Sequence, residues 1–171
     1  MYYLKYEQDK KGNCIYQKKL CGEEYWHKYD KRNNLIYSKR SDNYQRWYDY
    51  DKNNNLIHCK NSVGFEYWQE YDENNNCLYF KTSDGYERWR EYDKNNNLVH
   101  CKHSNGFEEW RKYDENNNLI NCKDSNGFES WYKYDKDNEQ IEITQQEFKQ
   151  IERNKLYFNN KKINRFEIMD I

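Results

Sequence analysis

The strongest constraint on the fold of this chain is a period of twenty-one residues. The stretch Gly85–Asn105, GYERWREYDKNNNLVHCKHSN, is followed at once by Gly106–Asn126, GFEEWRKYDENNNLINCKDSN, and the two agree at fourteen of twenty-one positions. Every tryptophan obeys the same stride: Trp26, Trp47, Trp68, Trp89, Trp110 and Trp131. Three residues after each comes Tyr-Asp, from Tyr29-Asp30 to Tyr134-Asp135. A degenerate earlier copy holds Asp9, Gly12-Asn13 and Cys14-Ile15, so about seven units run from the N-terminus to roughly Ile143. A fixed stride of this kind marks a repeat architecture. It leaves no room for a linker, so the expectation is a single domain: an array over 1–143, with a helix and tail over 144–171 packed on it.

Each unit reads as a β-hairpin. Gly85–Asp93 and Leu98–Lys102 are short, rich in aromatic and branched side chains, and bounded by Asn, Asp, Gly and Ser, which is the strand signature. An Asn triplet every twenty-one residues would interrupt any helix. The expected fold class is therefore mainly β, an antiparallel meander of about seven hairpins forming a long, coiled or curled sheet. Open twisted sheets rarely pass about ten strands without curling. The loop Asp93–Asn97 fits a type I turn followed by a left-handed residue, Asn96, with Gly12, Asn33, Asn54, Asn75, Asn117 and Asn138 equivalent to it. The other loop, at Asp84-Gly85, Asn105-Gly106 and Asn126-Gly127, reads as a two-residue type I′ turn, with weaker versions at Val63-Gly64 and Asp42-Asn43.

These turns imply a register in which Trp89 and Trp110 both oppose Cys101, and Tyr92 and Tyr113 both oppose Leu98. One face then carries Trp89, Val99 and Cys101. The other carries Tyr86, Tyr92, Leu98 and His100, with Arg88, Arg90 and Lys102 among them, and the tryptophan face is expected to be the better buried. Beyond the repeats, Gln140–Ile143 reads as a last strand and Thr144–Glu147 as a capping box. The box opens a helix through Phe148 and Ile151 that caps the sheet edge. The apolar tail, Leu156-Tyr157-Phe158 and Arg165–Met169, is expected to pair as a strand or dock on one face.

Composition narrows the function classes. Aromatics are 19% of the chain and there is no proline, so a core must be built from rings. A net charge of −1 gives no general field to attract nucleic acid or an anionic membrane. No apolar run approaches the roughly 20 residues of a membrane span. The first residues lack a secretory signal's basic and apolar regions, so a cytoplasmic protein is expected. Cys59, Cys101 and Cys122 are equivalent within their units, and CxxC is absent. With Cys101 and Cys122 two strands apart, roughly 9–10 Å, a disulfide is out of reach. They read as small buried hydrophobes.

The run Tyr48-Asp49-Tyr50-Asp51-Lys52-Asn53-Asn54-Asn55-Leu56, at a 21-residue spacing, resembles the YD repeats of Rhs-type proteins. Only the first unit, Gly12-Asn13, keeps the usual Gly-Asn; later units place Asn there, and the tryptophan is not part of the usual motif. The resemblance covers about four fifths of the chain. It implies β-hairpin architecture, which large Rhs proteins use to enclose a toxin, a task for which this chain is far too short. The units are also similar to the short aromatic-glycine hairpins of YwqK-type antitoxin-like proteins, which would imply a small neutralising partner.

No catalytic constellation emerges. His58 and His100 share a position filled elsewhere by Tyr37, Tyr79 and Asn121, a packing position rather than a ligand. Adjacent His100 and Cys101 point to opposite faces, so neither a metal nor another cofactor is expected. The row Asp30, Asp51, Asp72, Asp93, Asp114 and Asp135 reads as turn-forming. Glu66, Glu87, Glu108 and Glu129 read as a solvated stripe. The sharper candidate is a protein-binding patch of Tyr67, Arg88, Arg90, Arg111 and Tyr132, because Tyr with Arg is the composition of binding hot spots. The preferred expectation is a non-enzymatic binder of another protein, an inhibitor or an immunity- or antitoxin-type partner of a toxin or nuclease effector. The same face could instead stack single-stranded nucleic acid, although carboxylates in every unit oppose phosphate. A hydrolase formed where the tail meets the sheet is the third class.

Overall fold

The computed structural model describes residues 3–166, with the backbone alone from residue 156 onward. It is an open antiparallel sheet of fourteen strands in sequence order. The first seven strands are β1 (Tyr3–Gln8), β2 (Cys14–Lys19), β3 (Glu24–Tyr29), β4 (Leu35–Arg40), β5 (Gln45–Tyr50), β6 (Leu56–Asn61) and β7 (Glu66–Tyr71). The rest are β8 (Cys77–Thr82), β9 (Glu87–Tyr92), β10 (Leu98–His103), β11 (Glu108–Tyr113), β12 (Leu119–Asp124), β13 (Glu129–Tyr134) and β14 (Gln140–Ile143). Helix α1 (Gln145–Phe166) follows them. The chain divides into two compact units, Met1–Glu91 with Lys102–Asn105, and Tyr92–Cys101 with Gly106–Ile171.

The Asp-led loops form as their sequence requires. In Asp51–Asn55 the Asn54 N–H donates to the Asp51 carbonyl, the Asp51 N–H donates to the Asn55 carbonyl, and Asn54 sits at φ 68°. The Asp51 carboxylate secures the turn, accepting from the N–H groups of Asn53 at 2.8 Å and Asn55 at 2.9 Å and from the Asn55 side chain at 3.0 Å. The third Asn of the triplet also joins neighbouring repeats. Asn34 Nδ2 donates to Asn54 Oδ1 at 2.8 Å, and Asn55 Nδ2 to Asn75 Oδ1 at 2.7 Å. This explains why Asn replaces Gly at the left-handed position: the side chain supplies an acceptor that glycine lacks.

The opposite loops differ from the expected two-residue turns. In Asn61–Phe65 the Gly64 N–H donates to the Asn61 carbonyl and the Asn61 N–H to the Phe65 carbonyl. Positive φ falls on Gly64, Gly85, Gly106 and Gly127, and not on the residue before each. A type I′ turn needs it at both central positions, so these are again three-residue loops with a type I turn. Serines tie each such loop to the preceding repeat: Ser62 N–H donates to the Gln45 carbonyl at 3.0 Å, and Gln45 N–H returns a bond to Ser62 Oγ at 3.0 Å. Ser41, Ser83 and Ser125 repeat the exchange with Glu24, Glu66 and Glu108.

The register is corrected accordingly. Tyr50 opposes Leu56, but the next pair is Asp49 with His58, leaving Ile57 as the extra residue of a bulge. Beyond the bulge Trp47 opposes Lys60, and across the other loop Trp68 opposes His58 while Cys59 opposes Tyr67. A one-residue slip transfers a whole strand's side chains to the other face. The cysteine positions therefore leave the tryptophan face, and the His58-type and Lys60-type positions join it.

Burial also runs opposite to expectation. Trp26, Trp68 and Trp89 are 37%, 37% and 39% exposed, whereas Cys59 on the other face is 7% exposed. Among the described residues no side chain is less than 2% exposed. At the C-terminus, Thr144 N–H donates to Glu147 Oε2 at 2.8 Å and Glu147 N–H to Thr144 Oγ1 at 3.2 Å, a reciprocal capping box. Helix α1 packs against β13, one strand in from the edge, instead of on the edge itself. With no Gly or Pro to stop it, the helix continues through Leu156-Tyr157-Phe158, which does not form the anticipated strand; Glu167–Met169 lie outside the described residues. Among the described residues no helix is long and apolar enough to cross a membrane, which leaves β-barrels unaddressed.

The Asn54 loop allows a direct test. Asn54→Ala forces a side chain without local hydrogen bonding into the left-handed region and should cost about 1–2 kcal/mol. Asn54→Gly loses only the interloop bond and should cost less than about 1 kcal/mol. Urea unfolding of the three proteins should rank them wild type, Gly, Ala.

Candidate protein-binding face

The two faces of the sheet obey different rules. On the indole face a ring from the neighbouring strand packs on Trp26, Trp47, Trp68, Trp89 and Trp110, and a lysine lies over Trp26, Trp47 and Trp110 as well, whereas Trp131 stands between Asn121 and Ile143. Tyr37 sits 5.8 Å from Trp47, with Lys60 Nζ 5.6 Å from the indole. His100 stacks on Trp110 at 5.3 Å and 10°, with Lys123 Nζ at 5.1 Å. His58 stacks on Trp68 at 5.3 Å and is held between Asp49 Oδ2 at 2.9 Å and Glu66 Oε2 at 3.4 Å. Lys18, Lys39, Lys60, Lys81, Lys102 and Lys123 fill one position, which passes to Thr144 at the end of the array. Trp47 and Trp110 are thus flanked from both neighbouring strands within the sheet.

The opposite face varies from unit to unit. Immediately before each tryptophan stand Tyr25, Arg46, Tyr67, Arg88, Glu109 and Ser130. Immediately after stand His27, Tyr48, Gln69, Arg90, Arg111 and Tyr132. Strand alternation puts both sets opposite the indoles, so all five residues singled out from sequence lie on this face, half-buried.

Within the compact body formed by Met1–Glu91 and Lys102–Asn105, Tyr67 and Arg88 meet on a residue that sequence reasoning missed, Phe80. The Tyr67 and Phe80 rings are 5.7 Å apart, and the Arg88 guanidinium lies 5.4 Å from the Phe80 centroid. Phe80 also touches Tyr86 at 6.1 Å, whose hydroxyl is 2.8 Å from His103 Nδ1. Burial first, and then the neighbouring Cys59, push the Tyr67 hydroxyl above its ordinary range, so it stays protonated. Arg88 Nε is buried without a hydrogen-bond partner, so packing on the ring positions this guanidinium. Arg90 shares the face through strand alternation, and its charge opposes the burial that raises the Tyr71 hydroxyl.

The remaining two residues belong to the second unit and have other roles there. Arg111 Nε donates to Glu109 Oε1 at 2.6 Å, an ion pair that raises the guanidinium pKa. Tyr132 lines a cavity of about 380 Å³ with Ile120, Tyr134, Phe148 and Ile151, where α1 crosses the sheet. Cys122 Sγ lies 3.3 Å from Glu109 Oε1; burial first, then this carboxylate, push its thiol up to about 11. All six cysteines are free thiols, and among the described residues no three His, Cys, Asp or Glu side chains converge as a metal site.

The fold and its faces define a β-hairpin repeat protein. No family model and no curated protein matches the chain. Among solved structures it is similar to the crystal structure of TcdB2-TccC3-TEV, with a TM-score of 0.65 at 14% identity over 76% of this chain and 8% of that one. It is also similar to TcdB2-TccC3, with a TM-score of 0.54 at 13% identity over 85% of this chain and 12% of the other. At these identities the likeness is one of fold, and the chain spans about a tenth of the length of the chains it matches.

The thiols provide a check on these surroundings. At pH 8 a cysteine at the ordinary 9.0 is about a hundredfold more ionised than one raised to about 11. In the folded chain Cys122 should therefore react with a thiol reagent at least about a hundredfold more slowly than in the urea-unfolded chain, where burial and the Glu109 contact are gone, as read by mass spectrometry of labelled peptides. Because its folded pKa is raised, Cys122 contributes stability that is intact below about pH 9 and lost as pH rises toward 11.

Proposed function

We propose that this chain is a non-enzymatic repeat protein that binds another protein through the face opposite the indoles, as an inhibitor or an immunity- or antitoxin-type partner of a toxin or nuclease effector. The observation that carries the reading is the contrast between faces. The tryptophans, the turn-forming aspartates and the left-handed loop residues repeat in every unit, and the face across from the indoles differs in each, as a surface shaped for one partner requires. Its best-organised part is Tyr67, Phe80 and Arg88, with Arg90 beside them. Hot spots favour such a guanidinium and phenol set in rigid aromatic packing. The hairpin architecture shared with the TcdB2-TccC3 structures and the resemblance to YD repeats support a scaffolding chain over a catalytic one.

A single-stranded nucleic acid is the alternative ligand for this face. Against it stand 30 acidic residues to 29 basic ones and the ion pairing of Arg111 by Glu109.

Co-expression with the product of the adjacent reading frame tests the proposal. A stoichiometric complex is expected, weakened more than about tenfold by Arg88→Ala combined with Phe80→Ala. Lys60→Ala on the indole face should leave it unchanged. A complex lost with Lys60→Ala alone would move binding to the other face. A salt-sensitive mobility shift of single-stranded DNA without a protein complex would favour the alternative, and turnover of a substrate by the isolated chain would end the non-enzymatic reading.

A further inference from the structure

A groove of about 340 Å³ opens on the variable face of the compact body Met1–Glu91 with Lys102–Asn105, over β2 to β5. Its walls include Tyr25, His27, Arg40, Tyr44, Arg46 and Tyr48, and no Asp or Glu lines it. Carboxylates are otherwise abundant, so their absence marks the site.

Lys39 also lines the groove, but its Nζ turns to the indole face, 5.9 Å from the Trp26 ring centroid, and the remaining charges can be assigned group by group. Arg40 is answered by Asp42, which lies outside the groove lining, and this pair is neutral. Burial lowers the His27 pKa and favours its neutral form. Arg46 is exposed, forms no ion pair among the described residues, and donates from Nε to the Tyr44 hydroxyl at 3.1 Å. The hydroxyls of Tyr44 and Tyr48 raise its pKa, but phenols do not neutralise it. Tyr44 lies between the two guanidiniums, with Arg46 Cζ 5.2 Å and Arg40 Cζ 5.1 Å from its ring centroid. This packing fixes the plane of Arg46, whose exposed guanidinium carries more N–H groups than the two phenols can accept. The groove therefore offers one uncompensated, planar cation among three phenol rings, in a volume at the small end for organic ligands.

We infer that this groove binds a monoanionic aryl carboxylate, its carboxylate forked on the Arg46 guanidinium and its ring laid against Tyr25, Tyr44 and Tyr48. A single net positive charge suits a monoanion, and a guanidinium fork matches carboxylate geometry. Ring walls favour a ring over an aliphatic acid. The site is distinct from the Tyr67, Phe80 and Arg88 cluster and does not depend on any protein partner.

Calorimetric titration of the full chain with benzoate, benzamide, acetate and inorganic phosphate tests the inference. Benzoate should bind saturably with a Kd on the order of 1 mM or tighter, and benzamide and acetate should each bind about tenfold more weakly. Arg46→Gln should weaken benzoate by at least about tenfold, and Arg46→Lys, which keeps charge and loses the fork, by an intermediate factor. Arg88→Ala should leave benzoate binding intact. Circular dichroism of each variant confirms that the sheet persists, and Tyr48→Leu, which removes one ring wall, serves as an independent probe expected to weaken benzoate more than acetate. No saturation by benzoate, equal binding by the Arg46→Gln variant, or tighter binding of phosphate than benzoate would each overturn the assignment.

Discussion

The rest of the structure depends on a left-handed residue closing each half of the repeat. At the Asp-led edge that residue is held by a carboxylate accepting two backbone N–H groups and one side-chain amide, and at the other edge it is a glycine or Asn43. Hydrogen bonding keeps these carboxyls ionised: the Asn76 amide holds Asp72, and the Asn97 backbone N–H holds Asp93, below the ordinary carboxylate range. Because no described side chain is less than 2% exposed, a buried core cannot carry the fold. Stability must come from ladder hydrogen bonds and from cross-strand pairs worth roughly 0.2–1 kcal/mol each. Such terms add only if every turn delivers the same register, and the loop chemistry ensures that it does.

The hairpin period, the left-handed asparagines and the capping box were legible because each is a local rule expressed in residue type. Register was not legible, for a specific reason. An Asn-Gly pair places glycine at positive φ both in a two-residue turn and in the three-residue loop that forms, so composition alone does not separate them. On the other edge, the bulges at Ile36, Ile57 and Ile120 carry aliphatic residues that look like ordinary strand positions. Each oversight shifts a strand by one residue, and both shift the cysteine strands in the same sense. Two errors of equal parity give a sheet as self-consistent as the real one, so agreement between the loops was no safeguard. The serine exchange did leave a signal: Ser41, Ser62, Ser83, Ser104 and Ser125 keep the period as strictly as the tryptophans.

The same parity determines how much of the candidate face could be read. Tyr67, Arg88, Arg90, Arg111 and Tyr132 all lie on tryptophan strands, where alternation from the indole fixes the face whatever the register. Alternation therefore puts them on the face opposite the indoles in either register. Phe80 lies on the intervening strand, whose face the slipped register inverted, so the centre of the Tyr67 and Arg88 contact went unseen. The pairing of Arg111 by Glu109 depends only on two positions on one strand and was available from spacing. The approach of α1 to Tyr132 was not, because a helix docking on a sheet leaves no period to read.

A chain with this many aromatic residues invites a reading in which rings are displayed for ligands. The indole face argues against it for most of them. Five of the six indoles have a ring packed against them from the neighbouring strand, and Trp26, Trp47 and Trp110 have a lysine as well, so the repeat itself supplies most of their partners. Those rings replace the aliphatic core that a one-layer hairpin array has no interior to hold. Free to vary are the residues on either side of each tryptophan, whose side chains face away from this scaffold. Substitution there disturbs neither the loops nor the indole stack, and recognition can therefore be written on that face repeat by repeat while the stride stays fixed.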